Sequence, residues 1–187
     1  MTATLFAALL LAAAPATTGQ IDPALLATTD IDGVSVDGRL HRATVVVFLK
    51  TGCPIANYYH PTMQRLADEL ASENVLLLQV HATGSVTAQA ATAHREEYDV
   101  AGHVVVDPDQ TLARALQAEV TPEAFVILPS GRVTYRGRID DIYVGFGRRR
   151  QVASEATLAD AVAATLAGDP VKNAVTKPIG CRIHYAD

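Results

Sequence analysis

The run Ala43–Leu49, ATVVVFL, is the feature that most limits how this chain can fold. It is a continuous β-branched and aromatic stretch, which is typical of a central strand covered on both faces. After it come a short turn containing Gly52 and then Cys53 and Pro54, from which apolar residues recur at helical spacing as far as residue 72. Proline suits the first position of a helix. We therefore expect an α/β protein with Cys53 at a junction between a buried strand and a helix.

Strand and helix patterns alternate along the rest of the chain. The patterns predict strands over Val75–Val80 and His103–Val106, helices over Val86–Tyr98, Gln110–Ala118 and Thr157–Leu166, a small hairpin over Val34–Leu40, and a hairpin joining Phe125–Leu128 to Arg132–Tyr135. Asp109 is the expected N-cap of the helix at residue 110. A length of 187 residues suits one well-buried domain. We expect a central mixed β-sheet flanked by helices over residues 20–170, followed by a polar tail over residues 171–187.

Charge and composition narrow the classes of partner. The net charge of -5 argues against a phosphate-binding surface, so nucleic acid is not an expected partner. The single local basic run, Arg148 to Arg150, is typical of a solvated loop. No motif calls for a cofactor, and nothing in the sequence predicts an oligomeric state.

The N-terminus has the pattern of a secretory signal. Residues 1–19 contain an apolar run of about ten residues followed by small residues around Ala12 to Ala16. The run is too short for a membrane span, which needs about 20 apolar residues. We expect an exported protein, periplasmic or extracellular; the alternative is an N-terminal helix of a cytosolic protein. Export would permit a disulfide between Cys53 and Cys181, the only two cysteines.

The position of Cys53 favours thiolate chemistry. At the start of a helix its sulfur lies near unpaired N–H groups and the positive end of the helix dipole. Lys50 lies three residues earlier and would add to that effect. A lowered thiol pKa makes a cysteine nucleophilic, oxidisable or metal-binding near neutral pH. We expect Cys53 to be at least partly exposed and more reactive than Cys181; the alternative is a cysteine that only closes the end of a strand.

Several motifs together resemble the thioredoxin fold and, within it, the peroxiredoxin-like or redoxin (AhpC/TSA-type) proteins. These motifs are VVVFLK at residues 45–50, Cys53-Pro54-Ile55-Ala56, Pro61 at the spacing of a kinked active-site helix, VTPEAF at residues 120–125, the stretch 131–141, and Gly180-Cys181-Arg182-Ile183. The resemblance covers residues 40–181 and implies a thioredoxin-like fold. It also implies a cis Thr121-Pro122 peptide that faces Cys53, with Thr121 lining the site.

Three positions depart from the patterns of these families. Ala56 stands where a dithiol oxidoreductase has its second cysteine, so no local C-x-x-C disulfide can form. Lys50 stands where peroxiredoxins have a threonine, and Val47 where thioredoxins bury an aspartate. The fold is therefore better specified than the reaction.

The leading hypothesis is thiol redox chemistry. In it, Cys53 attacks a peroxide or a disulfide and is resolved by Cys181 or an external thiol, so the expected partners are a peroxide, a disulfide or a thiol. We expect a reducible, transient Cys53–Cys181 bond, with the two cysteines several ångströms or more apart in the reduced protein.

Two alternatives remain open. One is a non-catalytic module that binds copper or another soft metal through Cys53 with Cys181 or His184. The other is a fold used only for protein contacts. His60 is an unsuitable partner for Cys53, since two helical turns separate them by about 10 Å unless Pro61 distorts the helix.

Overall fold

The computed structural model describes residues 18–186, so nearly all of the predicted signal sequence lies outside the described part of the chain. The strands are β1 (Gly19–Gln20), β2 (Ala27–Thr29), β3 (Ser35–Asp37), β4 (Ala43–Leu49), β5 (Val75–His81), β6 (His103–Val106), β7 (Val120–Thr121), β8 (Glu123–Ile127), β9 (Arg132–Gly137), β10 (Tyr143–Gly145), β11 (Arg148–Arg149) and β12 (Cys181–Arg182). The helices are α1 (Pro54–Tyr58), α2 (His60–Ser72), α3 (Ala88–Tyr98), α4 (Thr111–Leu116) and α5 (Thr157–Ala167).

A six-stranded mixed sheet, in the order β1-β9-β8-β4-β5-β6, forms the centre of the molecule. Strand β4 runs parallel to β5 and antiparallel to β8, and every residue of β4 and β5 is buried. The predicted mixed sheet with a doubly covered central strand is confirmed. No helix within residues 18–186 has the length and apolar character that a membrane crossing requires.

Alternate residues of β4 enter two cores, one on each face of the sheet. Val45 and Val47 join the cluster that contains apolar residues of α2 and α5. Val46 and Phe48 join the cluster that contains those of α4. This alternation follows from the two-residue period of a strand, and it fixes the C-terminal end of β4, from which the chain continues to Cys53.

The predicted helix over residues 54–72 is divided into α1 and α2. Tyr59 ends the first helix and starts the second, and Pro61 lies in the first turn of α2. Because proline has no backbone N–H, it fits the first turn of a new helix better than the interior of a continuous one. The break agrees with the kink that the position of Pro61 implies.

Two local predictions are wrong. The hairpin over residues 34–40 does not form, since β3 pairs with β2 and Gly38–Leu40 is a 3-10 turn whose N-cap is Asp37. The N-terminus of α4 is not capped by Asp109. Instead the carboxylate of Asp107 accepts hydrogen bonds from the N–H groups of Thr111 and Ala113, at 2.8 and 3.0 Å.

The C-terminal segment, which the sequence predicts as a polar tail, packs against the domain. Strand β12 pairs with β7, so that Cys181 lies opposite Thr121. Ile183 is buried, and the Tyr185 hydroxyl donates to the carbonyl of Ala118 at 2.5 Å. These two side chains anchor a stretch whose composition is otherwise polar, and they flank the strand that holds Cys181 opposite Thr121.

Candidate active site

Cys53 is the N-cap of α1 and is completely buried, with 0% of its surface exposed. Its Sγ accepts a hydrogen bond from the N–H of Ala56 at 3.5 Å. When protonated, the same sulfur donates to the carbonyl oxygen of Thr121 at 3.0 Å. The prediction of a partly exposed Cys53 is wrong, because strands remote in sequence cover the sulfur.

The peptide between Thr121 and Pro122 is cis, as the resemblance implied. Thr121 is fully buried and presents its carbonyl oxygen to Cys53. The structure thus brings together Cys53, Thr121 and Pro122, all three of which were predicted as site residues.

Cys181 reaches the same point from the C-terminal segment. The Thr121 hydroxyl donates to the Cys181 carbonyl at 3.4 Å, beside the antiparallel pairing of β12 with β7. Gly180 permits this approach, since a Cβ there would lie 2.1 Å from the Thr121 oxygen. Neither thiol is in a disulfide, and the Cys181 thiol lies near enough to lower the pKa of Cys53. The expectation that the two cysteines lie several ångströms or more apart in the reduced protein stays a prediction.

The two thiols differ in proton affinity. Burial raises the pKa of Cys53, but hydrogen bonds from the Cys181 thiol and the Ala56 N–H lower it by more, so that the pKa lies below its usual value. Burial and the neighbouring Cys53 raise the pKa of Cys181 to about 11. The arrangement favours a Cys53 thiolate that is held by a Cys181 thiol.

Lys50, a predicted site residue, lies on the turn between β4 and Cys53. Its side chain is partly exposed, and its charge opposes the rise in the pKa of Cys181. The sequence predicted an effect of Lys50 on Cys53, whereas in the structure its charge acts on the more exposed of the two thiols. A cation at this place favours the ionised form of Cys181.

Three tyrosines beside the thiols were not predicted as site residues. The ring of Tyr143 lies 5.5 Å from that of Tyr58 and 5.9 Å from that of Tyr59. Burial raises the pKa of Tyr143, and the charge of Cys53 adds to that rise. Tyr59 donates to Asp140 at 2.6 Å. The helical spacing of Tyr58 and Tyr59 predicts only an apolar helix face, and Tyr143 carries no local signal.

A cluster of three buried histidines lies behind the site. The ring of His94 lies 5.3 Å from that of His60 and 5.1 Å from that of His81. His94 also shares a hydrogen bond of 3.0 Å with Asn57, whose amide donates to the carbonyl of Thr51 in the turn before Cys53. His60 is thus a core residue in contact with another histidine.

The donor sets for a metal are limited. Within residues 18–186, no group of three or more His, Cys, Asp or Glu side chains has the arrangement of a metal site. His184 is exposed, and its backbone carbonyl accepts from Gln110 at 2.8 Å.

A mixed sheet whose central strand leads into a buried N-cap cysteine, faced by a cis-proline, defines a thioredoxin-like fold. Three solved structures have this fold. A hypothetical protein from Sinorhizobium meliloti has a TM-score of 0.74 at 21% identity, over 94% of this chain and 96% of that one. An uncharacterised conserved protein from Geobacillus kaustophilus has a TM-score of 0.76 at 23% sequence identity, and the match covers 91% of this chain and 93% of that one. A putative thiol:disulfide interchange protein DsbE from Chlorobium tepidum has a TM-score of 0.59 at 16% sequence identity, and the match covers 79% of this chain and 98% of that one.

The chain belongs to the AhpC/TSA family, whose model matches residues 13–136. No curated protein sequence matches it significantly. Membership of this family supports a thiol redox role. Cys53 and Cys181 are the two thiols of the described residues, and both are free.

Proposed function

We propose that this protein carries out thiol–disulfide exchange through a redox pair formed by Cys53 and Cys181. The observation that carries the proposal is the pairing of β12 with β7, which sets Cys181 opposite Thr121, the residue whose carbonyl accepts a hydrogen bond from the Cys53 thiol. The position of the second cysteine in a C-x-x-C motif is occupied by Ala56, which is buried. The C-terminal segment supplies the missing thiol from the opposite end of the chain.

The exchange transfers two electrons. When the pair is oxidised, Cys53 and Cys181 each lose a proton and together give two electrons to an external disulfide, which becomes two thiols. When the pair is reduced, two external thiols give two electrons and two protons and leave as a disulfide. Thr121 and Pro122 hold the sulfurs in place and take no part in the electron balance.

Cys181 is the sulfur that meets the external thiol. It is partly exposed, whereas Cys53 is fully buried. An external thiolate attacks Cys181 in the oxidised pair and forms a mixed disulfide, and Cys53 leaves as a thiolate. A thiol of lower pKa is the better leaving group, which suits Cys53. A second external thiol then attacks the sulfur of the first external thiol in the mixed disulfide, which releases Cys181 and forms an external disulfide. This order is the reverse of the one predicted from the sequence.

Lys50 and the cellular compartment fit the same proposal. The charge of Lys50 favours the Cys181 thiolate that forms when the mixed disulfide is resolved. Export, which we propose from the apolar run and small residues of the N-terminus, would place the pair where disulfides persist.

The proposal is tested by oxidising the reduced protein briefly with hydroxyethyl disulfide and mapping cysteines by mass spectrometry after digestion without reductant. We expect one peptide pair that links Cys53 to Cys181, and the loss of both thiols together. In the Cys53→Ser variant, the external thiol should remain on Cys181 as a stable mixed disulfide. A mixed disulfide on Cys53 in the wild type, with Cys181 still a free thiol, would contradict the proposal.

A hydroperoxide is the second candidate oxidant, favoured by the complete burial and lowered pKa of Cys53, which suit a small molecule. Cys53 would then become a sulfenic acid and release water or an alcohol, and Cys181 would condense with it to give the disulfide and water. Second-order rates with hydrogen peroxide and with hydroxyethyl disulfide, measured on one sample, distinguish the two oxidants. Copper retained on that sample, and lost in Cys53→Ser, would instead indicate the soft-metal module.

A further inference from the structure

Strands β10 and β11 form an arm beside the thiol pair. Within the described residues they pair only with each other, and Phe146 and Gly147 connect them. The arm rests on α1: the guanidinium of Arg149 lies 4.6 Å above the ring of Tyr58, and Tyr143 packs against the same ring at 5.5 Å. Tyr58 is the last residue of the five-residue helix whose N-cap is Cys53, so this contact places the arm one short helix from that thiol.

The arm exposes large apolar side chains. Phe146 is 73% exposed and Val144 is 45% exposed, and Tyr58 beneath them is 37% exposed. Four of the seven exposed large apolar residues in residues 18–186 are Tyr58, Val144, Phe146 and the nearby Val152. Clustered exposed apolar residues next to a reactive site are typical of a surface that a partner covers.

The same surface carries positive charge without a counter-ion. Arg148 and Arg149 are exposed, and neither forms an ion pair with a described residue, as Lys50 also does not. By contrast, six of the ten other arginines in residues 18–186 form ion pairs, as Arg136 does with Glu123 at 2.8 Å. The chain as a whole carries a net charge of -5. The local positive charge is therefore complementary to an acidic partner.

We propose that the β10–β11 arm docks an extended polypeptide whose exchanging cysteine is flanked by acidic and apolar side chains. The inference rests on the proposed thiol–disulfide exchange and names the class of its substrate. A polypeptide fits better than a small thiol because the apolar surface extends from Tyr58 to Phe146, beyond the reach of a single cysteine. Arg148 and Arg149 meet the acidic side chains, and Phe146 meets an apolar one.

The test uses the oxidised full-length protein and two synthetic peptides, each with one cysteine and one leucine, in which four flanking residues are either glutamate or lysine. We expect the acidic peptide to reduce the protein about tenfold faster at low salt, with a difference that shrinks as salt screens the charges. Arg148→Glu should remove most of that preference. The matched variant Lys172→Glu makes the same charge change at an exposed position outside the arm and should keep it.

Two further measurements separate docking from the chemistry. Phe146→Ser should slow both peptides and leave the reaction with dithiothreitol unchanged, since the thiols are unaltered. Thermal unfolding of each variant shows whether Arg148→Glu disturbs the fold. If it does, the milder variant Arg148→Gln replaces it and should lose part of the preference for the acidic peptide.

The possible failures are distinguishable. If neither dithiothreitol nor a peptide reduces the protein, the proposed function is wrong. If both peptides react at equal rates, or if Arg148→Glu and Lys172→Glu behave alike, the exchange stands and the docking inference is wrong. Reduced glutathione that reacts as fast as the acidic peptide would also overturn the inference, because a small acidic thiol would then suffice.

Discussion

At the scale of single residues, the reactivity of the site depends on how the thiols of Cys53 and Cys181 affect each other's pKa. Cys181 donates a hydrogen bond to Cys53 and thereby lowers the pKa of a buried thiol that burial alone would raise. In return, the pKa of Cys181 rises to about 11. Cys181 therefore holds its proton more tightly, and Cys53 less tightly, than an isolated cysteine would.

Replacement of Cys181 tests this account with two closely matched variants. Cys181→Ala removes one donor, so the pKa of Cys53 should rise, because burial is then opposed by fewer hydrogen bonds, the one from the Ala56 N–H among them. Cys181→Ser keeps an O–H donor at nearly the same place, and the pKa of Cys53 should stay below that in Cys181→Ala. The measurement is the thiolate absorbance of the single remaining cysteine as a function of pH. Equal pKa values in the two variants would show that the Cys181 thiol does not tune Cys53.

At the scale of elements, the sequence predicted those strands and helix ends that depend on residues close together in the chain. Strands β4, β5 and β6 follow from apolar runs, and the N-cap position of Cys53 follows from the Pro54 beside it. The pairing of β12 with β7 was not predictable from the residues, because each strand has two residues and about sixty residues separate them. The burial of Cys53 depends on that pairing, and so it was missed as well.

The C-terminal segment is held in place by Gln110, a buried residue before α4. Its amide donates to the carbonyls of Ala82 and His184 at 2.9 and 2.8 Å, and its oxygen accepts from the N–H of Ala186 at 2.9 Å. Gln110 has a φ of +56°, a conformation that asparagine tolerates. Gln110→Asn shortens the side chain while keeping that conformation.

Loss of these hydrogen bonds should destabilise the protein by about 1–3 kcal/mol, the usual cost of leaving a buried polar group unsatisfied. The free energy of unfolding in urea measures this change. Because β12 depends on the same segment, the Cys53–Cys181 disulfide should also form more slowly in Gln110→Asn. Gln151→Asn, at an exposed position, is the matched control. Unaltered stability and an unaltered rate of disulfide formation would mean that other contacts hold the segment.

At the scale of the whole molecule, the three buried histidines make stability depend on pH. Burial, together with the neighbouring His94, lowers the pKa values of His60 and His81 to about 4. Burial also lowers the pKa of His94, although the negative charge of Glu97 partly offsets that lowering. The unfolded chain binds protons near pH 6.5, whereas the folded protein resists them until about pH 4. The stability is therefore fully present above pH 6.5 and is lost as the pH falls toward 4.

For one histidine with these two pKa values, linkage gives a loss of about 2 kcal/mol between pH 7 and pH 5. We expect urea unfolding at the two pH values to show a loss of at least this size. His60→Gln removes one titrating group and should reduce the loss, while His184→Gln, at an exposed position, should leave it unchanged. The lowered pKa values of Asp37 and Asp141, about 2, affect stability mainly below pH 4, so the carboxylates do not obscure the effect between pH 7 and 5. A free energy of unfolding that is constant over this range would mean that the folded protein accepts protons on the buried histidines as readily as the unfolded chain does.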